Sequence, residues 1–337
     1  MAGLPDQVAA CRICRGPILP QLDLGLQPVC NRFLAGPQEP EYKHVFQTGV
    51  CQHCGIMQLL DPFPAAELQP KVEWITYTEP EGHLDDLADQ LASRLPTTAF
   101  ILGVSFKDDS TLERLQKKGF RTQRLELAVD LDIFNPGAGV ETIQGQLTVA
   151  RAKMLSKKYG RADALIVRHI LEHAYDIPQF LQAIKELLTP GGYAVFEFPD
   201  CSKQLELLDY SALWEEHLVY FTPGTYQNCF VQHGFTIERL DIVPALMESS
   251  IVAVVRAAEI EGMVEKTVAP PDQTLSTEEI KNEVKRVQTF TNSFPLQKKI
   301  LQSYFRQHRA AVFGAGHFSC LLINALALPV QYIIDDN

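Results

Sequence analysis

Apolar positions change rhythm along this chain. Through residue 70 they come in short pieces between prolines and glycines, as in a small unit that needs more than its own core to hold it. Over 79–95, EPEGHLDDLADQLASRL, Leu84, Leu87, Leu91 and Leu95 recur at spacings of three and four. That is one face of an amphipathic helix, and Glu79, Pro80 and Glu81 suit its N-terminus. From 99 onward short apolar runs alternate with helical stretches. AFILGV (99–104), RTQRLEL (121–127), VETIQG (140–145), ADALIVRH (162–169) and YAVFEFP (193–199) read as strands. The stretches 110–120, 147–159 and 177–188 read as helices, the first closed by Gly119 and the last by Thr189-Pro190-Gly191-Gly192. This alternation predicts an α/β fold with a parallel sheet and right-handed crossovers. GFTIERLDIV (234–243) and SSIVAVVRA (249–257) predict an antiparallel pair that closes the sheet.

Beyond that pair, residues 258–275 are polar and read as a linker. Residues 276–308 are mostly helical, with Ser276 as N-cap and a break near Pro295. The last stretch, 310–337, reads as strand, glycine turn, helix and strand. Such a piece cannot cover both faces of its own sheet, so it is expected either to dock on another surface or to continue into a longer protein.

Composition narrows the classes. A length of 337 residues favours two or three compact units, and 46% apolar with 21% charged residues excludes disordered and low-complexity scaffolds. Asp and Glu number 41 against 30 Lys and Arg, a net charge of −11. An acidic surface argues against nucleic-acid partners, whose phosphates need excess positive charge. No apolar run reaches the roughly 18–20 residues of a membrane span, and the start MAGLPDQVAACRICR has no secretory core, so a cytoplasmic protein without membrane partners is expected.

Four of the eight cysteines form two Cys-x-x-Cys pairs, Cys11/Cys14 and Cys51/Cys54. Two intervening residues let a tight knuckle aim both thiolates at one tetrahedral ion, and two knuckles supply four sulfurs. One pair alone would equally suit a redox dithiol; two pairs point to structural zinc. His53, inside the second knuckle, is the alternative fourth ligand. Cys30, Cys201, Cys229 and Cys320 are expected to be buried small apolar residues.

The chain resembles a known family in several places. The paired knuckles with LGLQPVCNRFL between them resemble the N-terminal zinc-binding domain of sugar C-methyltransferases. The stretch ADALIVRHILEHAYDIPQFLQAIKELLTPGGYAVFEFPD looks like the fourth and fifth strands of a class I methyltransferase core. LWEEHLVYFTPGTYQNCFVQHGFTIERL is similar to the segment carrying that family's Glu-His pair, and VFGAGHFSCLLINAL with YIIDDN to the opening of its C-terminal Rossmann-like domain. The resemblance implies a zinc-binding domain over 1–70, a linking helix over 71–98 and a methyltransferase core over 99–258. It further implies a linker and helices over 259–308 and the start of a second Rossmann-like unit over 309–337.

It also implies chemistry: an S-adenosylmethionine-dependent methyl transfer to carbon of a nucleotide-linked keto-sugar or similar small molecule. In the family's cofactor turn Gly103 takes the acidic position, Ser105 the first glycine, and Asp108 matches an acidic residue. The turn departs at Asp109, where another glycine is usual, and Phe106 and Lys107 are larger than their counterparts. Glu126 fits the ribose-binding carboxylate, or is a solvated strand-end acid; Gln146 holds the place near the adenine. Arg168 and His169 end the fourth strand at the pocket mouth, with Glu172 and His173 on the next turn. The family's Glu-His pair falls on Glu216 and His217, His217 as general base and Glu216 as its orienter or a sugar-hydroxyl acceptor. Trp214 stands where the family has Tyr, a place that Tyr77 or Tyr220 would fill. The contrasting expectation is a scaffold or sugar-nucleotide-binding protein whose altered 103–110 turn no longer takes the cofactor. The sequence leaves the oligomeric state open.

Overall fold

The computed structural model describes residues 10–32, 34–36, 38–71, 81–135, 137–245, 248–257 and 274–335. Tyr77, the expected helix start at Glu79 and Pro80, and most of the expected linker lie outside them.

The N-terminal sheet contains β1 (Ile18–Pro28), β2 (Lys43–Cys51) and β3 (Met57–Leu59), antiparallel in sequence order. Its fourth strand comes from far along the chain: β8 (Val219–Tyr220) pairs with β3, Met57 opposite Tyr220. The first seventy residues therefore do not complete a sheet by themselves.

The central sheet holds β4 (Phe100–Gly103), β5 (Arg121–Arg124), β6 (Ala162–Arg168), β7 (Leu188–Asp200), β9 (Phe235–Val243) and β10 (Ser249–Ala257). Their order is β5-β4-β6-β7-β10-β9, parallel through β7, with β10 antiparallel to both β7 and β9. Alternation along each strand sends side chains to opposite faces. Phe100, Leu102, Leu165 and Val167 enter one core with Phe180, Ile184 and Leu155 from the helices Ile177–Leu187 and Val149–Tyr159. Ile101, Ala164 and Ile166 enter the other with Leu84, Leu87, Leu91 and Leu115 from the helices Leu84–Arg94 and Asp109–Lys117. The leucine face read from the sequence is thus the face that packs on the sheet.

Two elements differ from expectation. Residues 140–145 are not a strand: Val140–Gln146 is a helix. Val140, Ile143 and Leu147 are all buried, and their spacing of three and four is a helical period that outweighs the β-branched composition. The edge of the parallel sheet is accordingly β5. The second difference is Pro295, which lies inside one continuous helix, Thr277–Gln307, capped by Ser276 and Glu279 in a capping box. A proline there removes one backbone hydrogen bond, but the helix makes apolar contacts on both sides of it, buried before and partly buried after. Val287, Phe290 and Phe294 pack before Pro295 and Leu301 and Phe305 after it, all in the cluster of the N-terminal sheet.

The C-terminal strands β11 (Ala311–Phe313) and β12 (Tyr332–Ile334) pair in parallel around the helix His317–Leu326. Leu321, Ala325 and Leu326 of that helix are buried with Leu22 and Leu24 of β1, so this piece docks on the N-terminal sheet. Cys30, Cys201 and Cys229 are buried as expected; Cys320 is only partly so.

Candidate active site and metal centre

The two knuckles bring their four sulfurs together. Cys11 Sγ lies 3.6 Å from Cys54 Sγ and Cys14 Sγ 3.4 Å from Cys51 Sγ. Tetrahedral zinc with bonds of about 2.3 Å sets sulfurs roughly 3.8 Å apart, close to what is found. The backbone amides of Ile13, Gly16 and His53 donate to Cys11, Cys14 and Cys51 sulfurs, each at 3.4 Å, which favours thiolates. His53 gives no ligand to this group: the metal set is the four cysteines. Its ring lies against Gly16, where a Cβ would stand 2.6 Å from Nδ1.

The turn after β4 is closed by its own side chains. Asp108 is fully buried, and its carboxylate accepts from the amides of Val104 (2.7 Å), Ser105 (2.8 Å) and Arg168 (2.9 Å). Burial pushes its pKa up to about 7, although these three donors favour the carboxylate. Ser105 and Asp108 form a capping box over the short 3-10 turn Phe106–Asp108. The hydrogen face of Gly103 is filled from within: a Cβ there would meet Leu112 at 2.7 Å and Asp108 at 3.1 Å. Phe106 points outward and is exposed rather than packed into the sheet end. Glu126, just past β5, and Gln146, at the end of its helix, are both exposed.

A charged network fills the ends of β6 and β7. Arg168 Nε donates to Glu197 at 2.6 Å, and its Nη1 to the carbonyl of Lys107 at 2.6 Å and to Ser110 Oγ at 3.2 Å. Glu197 also faces His83 Nε2 at 3.1 Å and His169 Nε2 at 3.6 Å. Burial alone would raise the Glu197 pKa, but His169, His83 and the charge of Arg168 hold it well below the carboxylate range. Burial likewise works against a charged His169, yet Glu172 and Glu197 raise its pKa to about 9. His169 also sits in left-handed backbone, φ 50°, secured by its amide's 2.7 Å bond to the Glu197 carbonyl. Glu197→Gln is expected to cost about 3–5 kcal/mol of stability, because it strands Arg168 and His169 in the interior. Urea unfolding measures this; a loss below about 1 kcal/mol would show that water reaches the network.

On the far side of His169 lies a second cluster. The amide of Leu218 donates to the carbonyl of Glu172 at 2.8 Å, which ties the turn Leu171–His173 to the segment before β8. That places the His173 and His217 rings edge to face, centroids 5.0 Å apart. Trp214 lies 4.9 Å from His217 and stacks on His317 at 4.5 Å, so the C-terminal piece also reaches this place. The N-terminal unit reaches it too: Cys30 N donates to Glu215 at 2.7 Å and Asn31 Nδ2 to Glu216 at 3.3 Å.

The charge states follow from burial. Burial, and then the neighbouring His173, His317 and His169, depress the His217 pKa, leaving a neutral ring. Burial, with Glu215 and Glu141 beside it, raises that of Glu216. The His217 ring has imidazole and aromatic neighbours in His173 and Trp214. Tyr220 is fully buried, with its hydroxyl tied to the Trp214 backbone at 3.2 Å, which takes it out of contention as the missing phenol. Sequence reasoning gave no role to Asn31, His83, Glu141, Glu197 or His317. Each is remote in sequence from its partner, and no local pattern marks it.

Comparison with known proteins gives the class of this arrangement. Residues 11–68 match the family described as "Putative zinc binding domain", and residues 112–240 the family described as "Methyltransferase domain". A segment that matches a zinc-binding family is thus followed along the chain by one that matches a methyltransferase family. A curated relative, the C-methyltransferase NovU of Streptomyces niveus, is 23% identical over 244 residues. That match covers 70% of this chain and 58% of the relative's length. Among solved structures, the 1,6-didemethyltoxoflavin-N1-methyltransferase of Burkholderia thailandensis shares 15% identity at a TM-score of 0.37, covering 53% of this chain and 80% of that one. Magnesium protoporphyrin IX methyltransferase of Synechocystis PCC 6803 shares 12% at 0.36, covering 53% and 83%. No helix among the described residues is long and apolar enough to cross a membrane.

The two groups expected from the sequence are zinc and S-adenosylmethionine. The four sulfurs fit zinc directly. For S-adenosylmethionine the adenosyl end fits, since Glu126 offers an exposed carboxylate beyond β5. At the methionine end the Val104, Ser105 and Arg168 amides are already engaged by Asp108.

Proposed function

We propose that the protein is an S-adenosylmethionine-dependent C-methyltransferase acting on a nucleotide-linked keto-sugar or similar keto substrate, with His217 as general base. The observation that carries this reading is the convergence of three parts of the chain on the segment 214–217. The zinc-bearing unit arrives through Cys30 and Asn31, the sheet end through Glu172 and His173, and the C-terminal piece through His317. S-adenosylmethionine, when bound, supplies an electrophilic methyl group on a sulfonium.

The chain's residues do the rest. A ring nitrogen of neutral His217 takes the proton from the carbon beside the ketone, and the resulting enolate carbon becomes the methyl acceptor. Glu216, held by Asn31, meets a substrate hydroxyl. Glu126 accepts from the ribose hydroxyls, with Gln146 towards the adenine. The Gly103–Asp108 turn, with Ser105, positions the cofactor's backbone side, and Arg168 and His169 border its methionine. Walls formed by buried side chains keep water from the enolate.

The test is calorimetric titration with S-adenosylmethionine followed by mass analysis of a keto substrate after turnover. Saturable binding and a methyl group on carbon are expected. Glu126→Gln should weaken cofactor binding about ten- to a hundredfold, the worth of one or two lost charge-assisted hydrogen bonds. The second reading, a scaffold or sugar-nucleotide-binding protein, draws on the engagement of the turn amides by Asp108. Silence at millimolar cofactor would select it.

A further inference from the structure

The methyl-transfer reading uses one atom of a larger constellation. Glu172, His173 and His217 are all buried, and one donor atom from each lies within 4.8 Å of the other two. Within this group Glu172 Oε2 and His173 Nδ1 have no hydrogen-bond partner among the described residues. A buried carboxylate oxygen and a buried imidazole nitrogen left unpaired are unfavourable, and both belong to side chains at 2% and 5% exposure. The group is held from outside. The Glu172 carbonyl takes the Leu218 amide, next to His217, and the other carboxylate oxygen of Glu172 lies 3.8 Å from His169 Nδ1. Such supports orient ligands rather than serve as ligands.

Two imidazoles and one carboxylate form a donor set suited to zinc, cobalt or manganese, and not to magnesium or calcium, which take oxygen. Bonds of about 2.1 Å put tetrahedral donors roughly 3.4 Å apart. The 4.0 Å between Glu172 Oε1 and His173 Nε2 is about 0.6 Å longer than that. The surroundings favour a dication. Glu141 acts on the charge of His173, and Glu248 faces Glu172. The charge of His169, between Glu172 and Glu197, opposes it.

We propose that Glu172, His173 and His217 bind a divalent transition-metal ion, separate from the four-cysteine zinc, and that this ion inhibits methyl transfer by occupying the lone pair of His217. Binding stands on the geometry alone; the inhibitory consequence rests on the assignment of His217 as base. No bond to substrate forms or breaks in this step: one water-coordinated ion exchanges waters for three side chains, and the ring loses its capacity to accept a proton. The site acts as a reversible off-switch set by free metal.

The probe is Co2+ added alone to the full chain with its knuckles already filled by zinc, read by calorimetry and visible absorption. One further ion is expected, with the weak bands of nitrogen and oxygen ligands and without the intense sulfur charge-transfer bands of a thiolate site. Glu172→Gln and His173→Gln, checked for folding by circular dichroism, should each weaken it at least about tenfold. Turnover should fall in step with occupancy. No additional ion at millimolar Co2+, or unchanged affinity in both folded variants, overturns the site. Binding that leaves turnover unchanged, or raises it, overturns the inhibitory role. Failure of the base assignment shows separately, as retained turnover in His217→Ala with its knuckles filled by zinc and no Co2+ added.

Discussion

Stripping the metal from Cys11, Cys14, Cys51 and Cys54 is expected to melt the N-terminal sheet and abolish methyl transfer with it. The knuckles clamp the end of β2 to the turn before β1, and Cys11, Cys51 and Cys54 are themselves part of the buried core. Structural zinc contributes on the order of 10–16 kcal/mol in small zinc-binding units, comparable to the whole stability of a domain, about 5–15 kcal/mol. Cys54→Ser should therefore lose most of its zinc and unfold this region at ordinary temperature. The damage should spread, because Cys30 and Asn31 hold Glu215 and Glu216, and β3 holds β8. Zinc content, thermal unfolding and turnover measure it together. A metal-free protein with unchanged melting and activity would show that the sheet stands on its own core.

His217→Ala is expected to lower turnover about 10²- to 10⁴-fold, the usual worth of a positioned general base. Binding of the methyl donor should persist, since the proposed contacts to it lie at Glu126, Gln146 and the 103–108 turn. His217→Gln, which nearly preserves volume, separates lost chemistry from the packing of Trp214 and His173 against the ring. Should either variant keep full turnover, the proton acceptor lies elsewhere in the cluster.

The parts of this molecule legible in its sequence are those set by local spacing. The two Cys-x-x-Cys pairs carry their own geometry, and the strands at Phe100–Gly103, Ala162–Arg168 and Leu188–Asp200 follow from apolar runs between turns. Val140–Gln146 misleads because its β-branched residues favour strand while their positions favour helix, and the period prevails once the core is present. Pro295 misleads because a break is a local expectation, whereas the packing that carries the helix past it is tertiary. At the site, His217 can be picked out by resemblance, but its neutral state cannot. It depends first on burial and then on His173, His317 and His169, which come from segments 44 to 100 positions away. The Glu197 network is hidden for the same reason: His83, Arg168 and Glu197 meet only at the ends of strands and helices.

The pairing of Met57 with Tyr220 has a practical consequence for anyone recombining this protein with its relatives. A chimera that exchanges only the leading seventy residues would carry a donor's hydrogen-bonding edge against a host's two-residue strand, with Asn31 of one parent facing Glu216 of the other. Productive crossovers should instead move residues 10–70 and 214–221 as a linked pair, two pieces inherited together although the four parallel strands β4 to β7 separate them along the gene.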